Sequence, residues 1–261
     1  MIPTKNRHAL LQRAVQSVFS QRLLPQELLI IDDGSVDGTA AWAERLFHPE
    51  VSCRYISLKT SRGGAAARNY GISEAQQTYV AFLDDDDWWH PEKLFCQYER
   101  ALWDDSPDLI YTGVRVMEDE SHEVRRVLHI PHCMPRTSIL LYNYVGITST
   151  VLIRRTLLMQ EGFDSRLPAL QEYDLFIRLI RQGAHVAAVP SHLVYYAHPA
   201  KHDGVSTSLR GFFSAAKILL RKQPLLLPRF FQFCGLIRIC AQKIRVSHRF
   251  RGHLRGKRNA L

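Results

Sequence analysis

The last 61 residues hold a single acid, Asp203, against 14 Lys and Arg, whereas the first 200 hold 24 acids and 20 bases. A mildly acidic body thus carries a strongly basic tail, and such asymmetry points to an anionic partner, a membrane surface or nucleic acid. The sequence also lacks any run of about 18 uncharged apolar residues, so a membrane-spanning helix is not expected. The amino terminus, Met1-Ile2-Pro3-Thr4-Lys5-Asn6, has no apolar core and does not read as a signal peptide. Cysteine is sparse and unpaired in spacing: Cys53, Cys96, Cys133, Cys234 and Cys240 form no C-x-x-C element. Such an odd, scattered set argues for a reducing compartment and against a disulfide framework. No internal repeat or low-complexity segment is present.

What is there is an ordinary globular composition, 46% hydrophobic and 23% charged over 261 residues. That is enough for one sizeable domain or a domain with an appendage. The first hundred residues alternate helix and strand signals. Leu10, Leu11, Ala14, Val15, Val18 and Phe19 form a helical stripe. Short apolar strands are expected at 27–31, 53–58 and 79–83, with a helix over 40–47, a small-residue turn at 63–69 leading into a helix to about 76, and a helix from 91 to about 103. This alternation predicts an α/β fold with a parallel sheet. The middle is less regular. Strands are expected at 109–117, 124–130, 146–153, 185–189 and 194–196, with a helical pattern over 173–181.

The most informative run is Val80-Ala81-Phe82-Leu83-Asp84-Asp85-Asp86-Asp87-Trp88-Trp89. Four β-type apolar residues lead into four consecutive carboxylates, which repel one another if ionised and dry. A hard divalent cation with oxygen ligands would remove that penalty. A solvated acidic loop is the plain alternative, but ligands in open α/β sheets gather at the carboxyl ends of strands, where these acids stand.

Several stretches together resemble the family 2 glycosyltransferases. They are Ile2-Pro3-Thr4-Lys5-Asn6-Arg7, Ile31-Asp32-Asp33-Gly34-Ser35, Gly64-Ala65-Ala66-Ala67-Arg68-Asn69, Phe82 to Trp88, and Gly162-Phe163-Asp164 followed by Gln171-Glu172-Tyr173-Asp174. The resemblance covers residues 1 to about 200. It implies a GT-A fold, a Rossmann-like, mostly parallel central sheet flanked by helices. It implies a body over 1–204 and leaves 205–261 as a basic amphipathic helical tail. It further implies a nucleotide-sugar donor, Mn²⁺ or Mg²⁺, and inversion at the anomeric carbon.

Carried over residue by residue, Asp84 and Asp86 match the two acids of the D-x-D motif. Asp86 would be the direct metal ligand, and Asp84 would stand nearer the ribose or a metal-bound water, with Asp85 contributing or shaping the turn. Asp33 matches the acid that meets the uracil ring, Thr4 and Asn6 border the nucleotide, and Arg68 sits near uracil or phosphates. Glu172 occupies the place of the general base, with Asp174 as the second candidate; here the family's Glu-Asp pair is replaced by Gln171-Glu172. His198, and His202 beside it, match a late histidine that touches metal or diphosphate in some relatives. The family's first strand is nearly missing, with Met1 standing in for most of it, so either the start is late or that strand is short.

The tail's Phe212, Phe213, Ile218, Leu219, Leu220 and Leu225 alternate with Arg221, Lys222, Arg229, Arg238 and Lys243. Basic, aromatic-rich segments suit a membrane interface; a helix packed on the body with a frayed basic end is the alternative. The combined expectation is an enzyme moving galactose or glucose from a UDP-sugar to a lipid-linked saccharide in O-antigen or capsule assembly. It would sit in the cytoplasm, peripheral on the inner face of an anionic membrane. Two rivals are a metal-dependent nucleotidyltransferase of sugar phosphates and a nucleic-acid-binding protein using the tail. The tail's arginines show no recognisable reading motif, so no specific nucleic acid is expected.

Overall fold

The computed structural model describes residues 1–103, 106–117, 134–197 and 209–222, and the backbone of 124–128. The chain opens with β1 (Ile2–Thr4), α1 (His8–Phe19), β2 (Glu27–Asp32), α2 (Thr39–Ala43), β3 (Ser52–Ser57) and α3 (Gly64–Glu74). β1, β2 and β3 form a parallel sheet with β2 in the middle. Leu28 to Asp32 are all buried, as expected for a strand covered on both faces. α1 buries Leu11, Ala14, Val15 and Val18 against it, while Leu10 and Phe19 of the expected stripe lie at its edge.

Then follow β4 (Tyr79–Ala81), β5 (Trp88–Trp89), α4 (Lys93–Ala101), β6 (Leu109–Met117), β7 (Val124–Leu128), β8 (Val151–Arg154), α5 (Arg155–Glu161), α6 (Gln171–Arg181), β9 (Val186–Ala197) and α7 (Leu209–Lys222). The second sheet has the order β4-β8-β6-β9-β5, with β7 paired to β6. Only β6 and β9 are parallel in it; its other pairings are antiparallel. The alternation seen in the first hundred residues thus describes the first sheet. The later strands include a β6–β7 pair whose link is too short for a crossover, which forces antiparallel pairing. The strand expected over 146–153 starts only at Val151, because residues 148–150 form a 3-10 turn. The two strands expected at 185–189 and 194–196 are one, β9, whose register shifts beside Thr112 and Gly113 of β6.

β1 is three residues long and central. The Met1 ammonium donates to the Ala81 carbonyl (2.9 Å), and the Leu83 N–H donates to the Met1 carbonyl (3.0 Å), so β1 joins the two sheets. α3 lies directly over this seam. A Cβ on Gly71 would come within 2.6 Å of Met1 Sδ and 3.0 Å of Ile31 Cγ1, so a larger residue would require the Met1 and Ile31 side chains to shift.

α7 packs into the main core, which also holds Phe82, Tyr111, Phe163, Tyr173 and Phe176. Phe212, Ala215, Ala216 and Leu219 are buried there. Two fully buried side chains of the Leu and Phe class contribute roughly 3–6 kcal/mol together. The exposed positions of α7 are Arg210, Phe213, Ser214, Lys217 and Arg221. The apolar side of the first tail helix is thus covered by the body, and residues 223–261 lie outside those described. Among the described residues no helix is long and apolar enough to cross a membrane.

Candidate active site

The acid turn is anchored by Phe82 and Leu83, both wholly buried. An Asp87 N–H to Asp84 carbonyl bond (3.0 Å) closes it just beyond β4. Each carboxylate has different neighbours. Asp84 accepts from Arg68 Nη2 at 2.5 Å. Asp85, buried, accepts from the Thr4 hydroxyl (2.8 Å) and Arg7 Nη1 (3.0 Å). Asp86 accepts from the same Arg7 nitrogen at 2.9 Å, and its backbone carbonyl accepts from Arg13. Asp87 has no exposed surface and accepts from the Ser149 hydroxyl at 2.5 Å. Its Oδ1 is buried and has no hydrogen-bond partner among the described residues.

Four acids therefore share two guanidiniums. The surplus of negative charge shows in the titration of Asp85, Asp86 and Asp87. Burial pushes Asp85 up to about 6, against the pull of Arg7 and with a push from Asp86. Burial and Asp84 raise Asp86, and burial with Asp86 and Asp84 raises Asp87 far above the usual carboxylate range. The Tyr196 hydroxyl is also pushed up, by burial and by Asp87, Asp86, Asp84 and Glu172, so it feels the same field.

The nucleotide-binding candidates converge from the first sheet. Asn6 follows β1 in a left-handed conformation (φ 52°). Its N–H donates to Ser35 Oγ (2.8 Å) and its side-chain oxygen accepts from the Val36 N–H (2.7 Å), tying the β1 and β2 loops together. Asp33 is held by the 61–63 loop. It accepts from the Ser61 hydroxyl (2.7 Å) and the Arg62 (2.7 Å) and Gly63 (2.9 Å) N–H groups. Its Oδ1 carries one of those bonds and keeps a lone pair for a ligand donor. Arg68 comes from the first turns of α3, under the ring of Phe163 (5.5 Å). A Cβ on Gly64 would come within 3.0 Å of its Nη1, so the small residue there leaves room for the guanidinium.

The two candidate bases stand apart in character. Both lie in the first turn of α6, which starts after Leu170 in a left-handed conformation (φ 60°). Glu172 is half-buried and makes no hydrogen bond or ion pair among the described residues. Burial works against the Arg68 guanidinium, and Asp84, Glu172 and Asp85 together keep its pKa above the ordinary value. Glu172 thus shares the electrostatic space of the acid turn. Asp174 is wholly buried and has both oxygens engaged, one by Arg178 Nε (2.9 Å) and one by Lys222 Nζ (2.7 Å). His198 and His202 lie outside the described residues.

Arg7 and Ser149 are site residues that sequence reasoning passed over. Arg7 sits inside the Ile2 to Arg7 stretch, where a base close behind Thr4 was the available signal. Ser149 had none: it arrives from a 3-10 turn 62 residues beyond Asp87.

Among the described residues no three His, Cys, Asp or Glu side chains converge as a metal cage. That donor set still suits Mg²⁺ or Mn²⁺ in a nucleotide site, where one or two carboxylates act with substrate phosphates and water. The unpartnered Asp87 Oδ1 and the surplus charge fit a cation close to the turn. Asp86 and Asp84 are the residues that would hold it, both about one-third exposed.

The glycosyl transferase family 2 model matches residues 1–165, a span that contains β1, the Asp33 loop, Arg68 and the whole acid turn. The chain belongs to glycosyl transferase family 2. Among curated family relatives, the amylovoran biosynthesis glycosyltransferase AmsB of Erwinia amylovora is 33% identical over 187 residues. That match covers 65% of this chain and 59% of AmsB, so the chain spans about three fifths of that relative's length. In fold, the chain is similar to TarS 1–349 of S. aureus in complex with UDP-GlcNAc. The TM-score is 0.69 at 16% identity, covering 90% of this chain and 69% of that one. It is also similar to the mannosyltransferase PcManGT of Pyrobaculum calidifontis in complex with GDP-Man and Mn²⁺. There the TM-score is 0.62 at 17% identity, covering 90% and 68%. These likenesses establish the GT-A architecture.

Proposed function

We propose that the protein is a metal-dependent, inverting hexosyltransferase. It takes galactose or glucose from a UDP-sugar and passes it to a lipid-linked saccharide during assembly of a surface polysaccharide such as O-antigen or capsule. The observation that carries this reading is the pairing of an under-neutralised acid turn with an unengaged carboxylate, Glu172, in one electrostatic space. The curated relative AmsB, named for amylovoran biosynthesis, supports the polysaccharide setting.

In this reading Asp33 accepts from the uracil ring, with its carboxylate pre-oriented by Ser61, Arg62 and Gly63. Thr4 and Asn6 border the nucleotide, and Asp85 and Asp84 stand at its ribose. Arg68 presents a permanent positive charge toward the phosphates. Asp86, with Asp84 near it, would hold a divalent cation, which when bound would neutralise the charge developing on the leaving diphosphate. His198 is a further candidate ligand. Glu172 takes the proton of the acceptor hydroxyl as that oxygen attacks the anomeric carbon from the face opposite the diphosphate. Asp174 serves as a fixed post of the helix that carries Glu172, which is why Glu172 is preferred as the base. Its longer arm does the work of the usual aspartate.

The membrane reading rests on the charge of residues 201–261 and on the outward Arg210, Phe213, Lys217 and Arg221 of α7. Each base near an anionic surface contributes about 1 kcal/mol. The enzyme would then work peripherally on the cytoplasmic face of the membrane. Two experiments test the proposal. Release of UDP with Mn²⁺ across a panel of nucleotide sugars should single out one UDP-hexose; activity with no UDP-sugar refutes it. Co-sedimentation with anionic liposomes, comparing the full chain with one ending after Lys222, should show binding lost on truncation; equal partitioning removes the tail as anchor.

A further inference from the structure

Arg7 stands in an unusual position. A single nitrogen, Nη1, donates to Asp85 Oδ1 at 3.0 Å and to Asp86 Oδ2 at 2.9 Å. Nη2 and Nε make no hydrogen bond among the described residues. The guanidinium therefore bridges two carboxylates by one corner and keeps the rest of its donor fork open. Such a fork matches a phosphate.

Its backbone has little freedom. Asn6 before it is left-handed and tied to Ser35 and Val36, and the Arg7 carbonyl accepts from the Leu11 N–H in the first turn of α1. The side chain is one-third exposed, whereas Arg68 on Asp84 is 13% exposed and lies beneath Phe163. Of the two arginines that bond the turn's carboxylates, Arg7 is the more exposed and the one with room to turn. Asp86, the acid assigned to the cation, is the one on which Arg7 has a hold.

We infer that Arg7 is an exchangeable counter-charge. It competes with the divalent cation for Asp85 and Asp86, and it transfers its free fork to the donor's diphosphate when both ligands are present. This rests on the metal-dependent reading above. Two positive groups cannot share Asp86 without repulsion, so Arg7 weakens cation binding when no nucleotide is bound. An incoming diphosphate gives the guanidinium another anion, and the penalty disappears. Cation and nucleotide then bind cooperatively, each favouring the other by the same factor. The residue's role is to couple the two ligands.

The test is Mn²⁺ titration followed by the EPR signal of free Mn²⁺, with and without UDP, on the wild-type chain, Arg7→Gln and Arg7→Lys. A thermal melt of each accompanies it. Wild type should bind Mn²⁺ much more tightly with UDP. Arg7→Gln should bind Mn²⁺ alone on the order of tenfold more tightly than wild type, while UDP strengthens its binding less. Tighter Mn²⁺ binding would follow from removing any positive charge beside these acids; the loss of UDP coupling is the readout that a merely structural arginine would not move. Unchanged or weaker Mn²⁺ binding by a folded Arg7→Gln overturns the inference and leaves the metal-dependent reading intact. Wild type that binds no Mn²⁺ even with UDP refutes that reading and this inference with it. If Arg7→Gln does not fold, Arg7→Lys decides. It keeps the charge but lacks the fork, so its Mn²⁺ affinity alone should match wild type and its UDP coupling should fall; wild-type coupling overturns the inference.

Discussion

Carboxylates gather in two places in this protein. Beyond β4, Asp84 to Asp87 share Arg68, Arg7 and the hydroxyls of Thr4 and Ser149. Where α5, α6 and α7 meet, Glu161, Asp164 and Asp174 share Arg178, Arg166 and Lys222. The second group is balanced. The Arg166 hydrogen bond, opposed by burial and helped by Lys222, holds Asp164 far below the usual carboxylate range. Glu161 is also lowered, because hydrogen bonds from Gln182 and Arg178 outweigh its burial. The first group is unbalanced, and Asp85, Asp86 and Asp87 in it are raised. Matched charge marks a joint that holds helices together; unmatched charge marks a place built for a ligand. The two meet on α6, where Asp174 belongs to the joint and Glu172 to the site.

The sharpest way to break this contrast is to change those two neighbours. Glu172→Gln should lower transfer by about 10²–10⁴ while leaving UDP binding and the melting temperature near wild type. Asp174→Asn should instead lower the melting temperature. Normal transfer by Glu172→Gln with a dead but stable Asp174→Asn would reverse the assignment. Next in size is Asp86→Ala, with turnover expected to fall roughly a hundredfold. EDTA should silence the wild type, and full activity in EDTA would sink the metal role.

On the balanced side, Lys222→Met strips a cation from the buried Asp174. Breaking a buried pair in this way costs about 3 kcal/mol or more, read as lost stability in urea unfolding. Arg178 remains to soften the loss, and an unchanged midpoint would show that α7 is not held by this contact. The same reasoning sets the expectation for truncation. Ending the chain near residue 208 removes Phe212, Leu219 and Lys222 together, so it should destabilise the body; ending it after Lys222 should not.

The smallest effect is a difference of sign in pH dependence. Lowered acids such as Asp164 and Glu161 bind fewer protons folded than unfolded. Their stabilisation is present above about 4 and is lost as the pH falls. Asp85, raised to about 6, binds more protons folded than unfolded between about 4 and 6. Its contribution is present below about 4 and is lost as the pH rises through 6. Without metal or nucleotide, urea midpoints from pH 3 to 8 should rise and then sag, and Asp85→Asn should flatten the sag. A sag that persists in Asp85→Asn would move its origin to another group.

The first sheet was legible because its signals are local. β2 is an unbroken apolar run, α1 carries its stripe at helical spacing, and the acids stand where that pattern stops. The second sheet was not, since β8 and β9 owe their bounds to pairing with β6 rather than to their own composition. Arg7, Thr4 and Asp85 were adjacent in meaning only after β1 had been set beside β4. α7 illustrates the same limit. Its sequence favours a membrane interface with a packed helix as the alternative, and only the core around Phe176 and Tyr173 shows which way Phe212 and Leu219 face.

By itself the sequence determined the family, the α/β class and the acid turn, and it supplied the residues proposed to meet nucleotide and acceptor. These follow from periodicity, turn chemistry and short motifs, all of which act over a few residues. The tertiary structure alone decided which carboxylates are compensated. It separated Glu172 from Asp174, joined Ser149 to Asp87, and laid Arg7 across Asp85 and Asp86. A charge's role depends on its desolvation and on its partners in space, and neither is written along the chain.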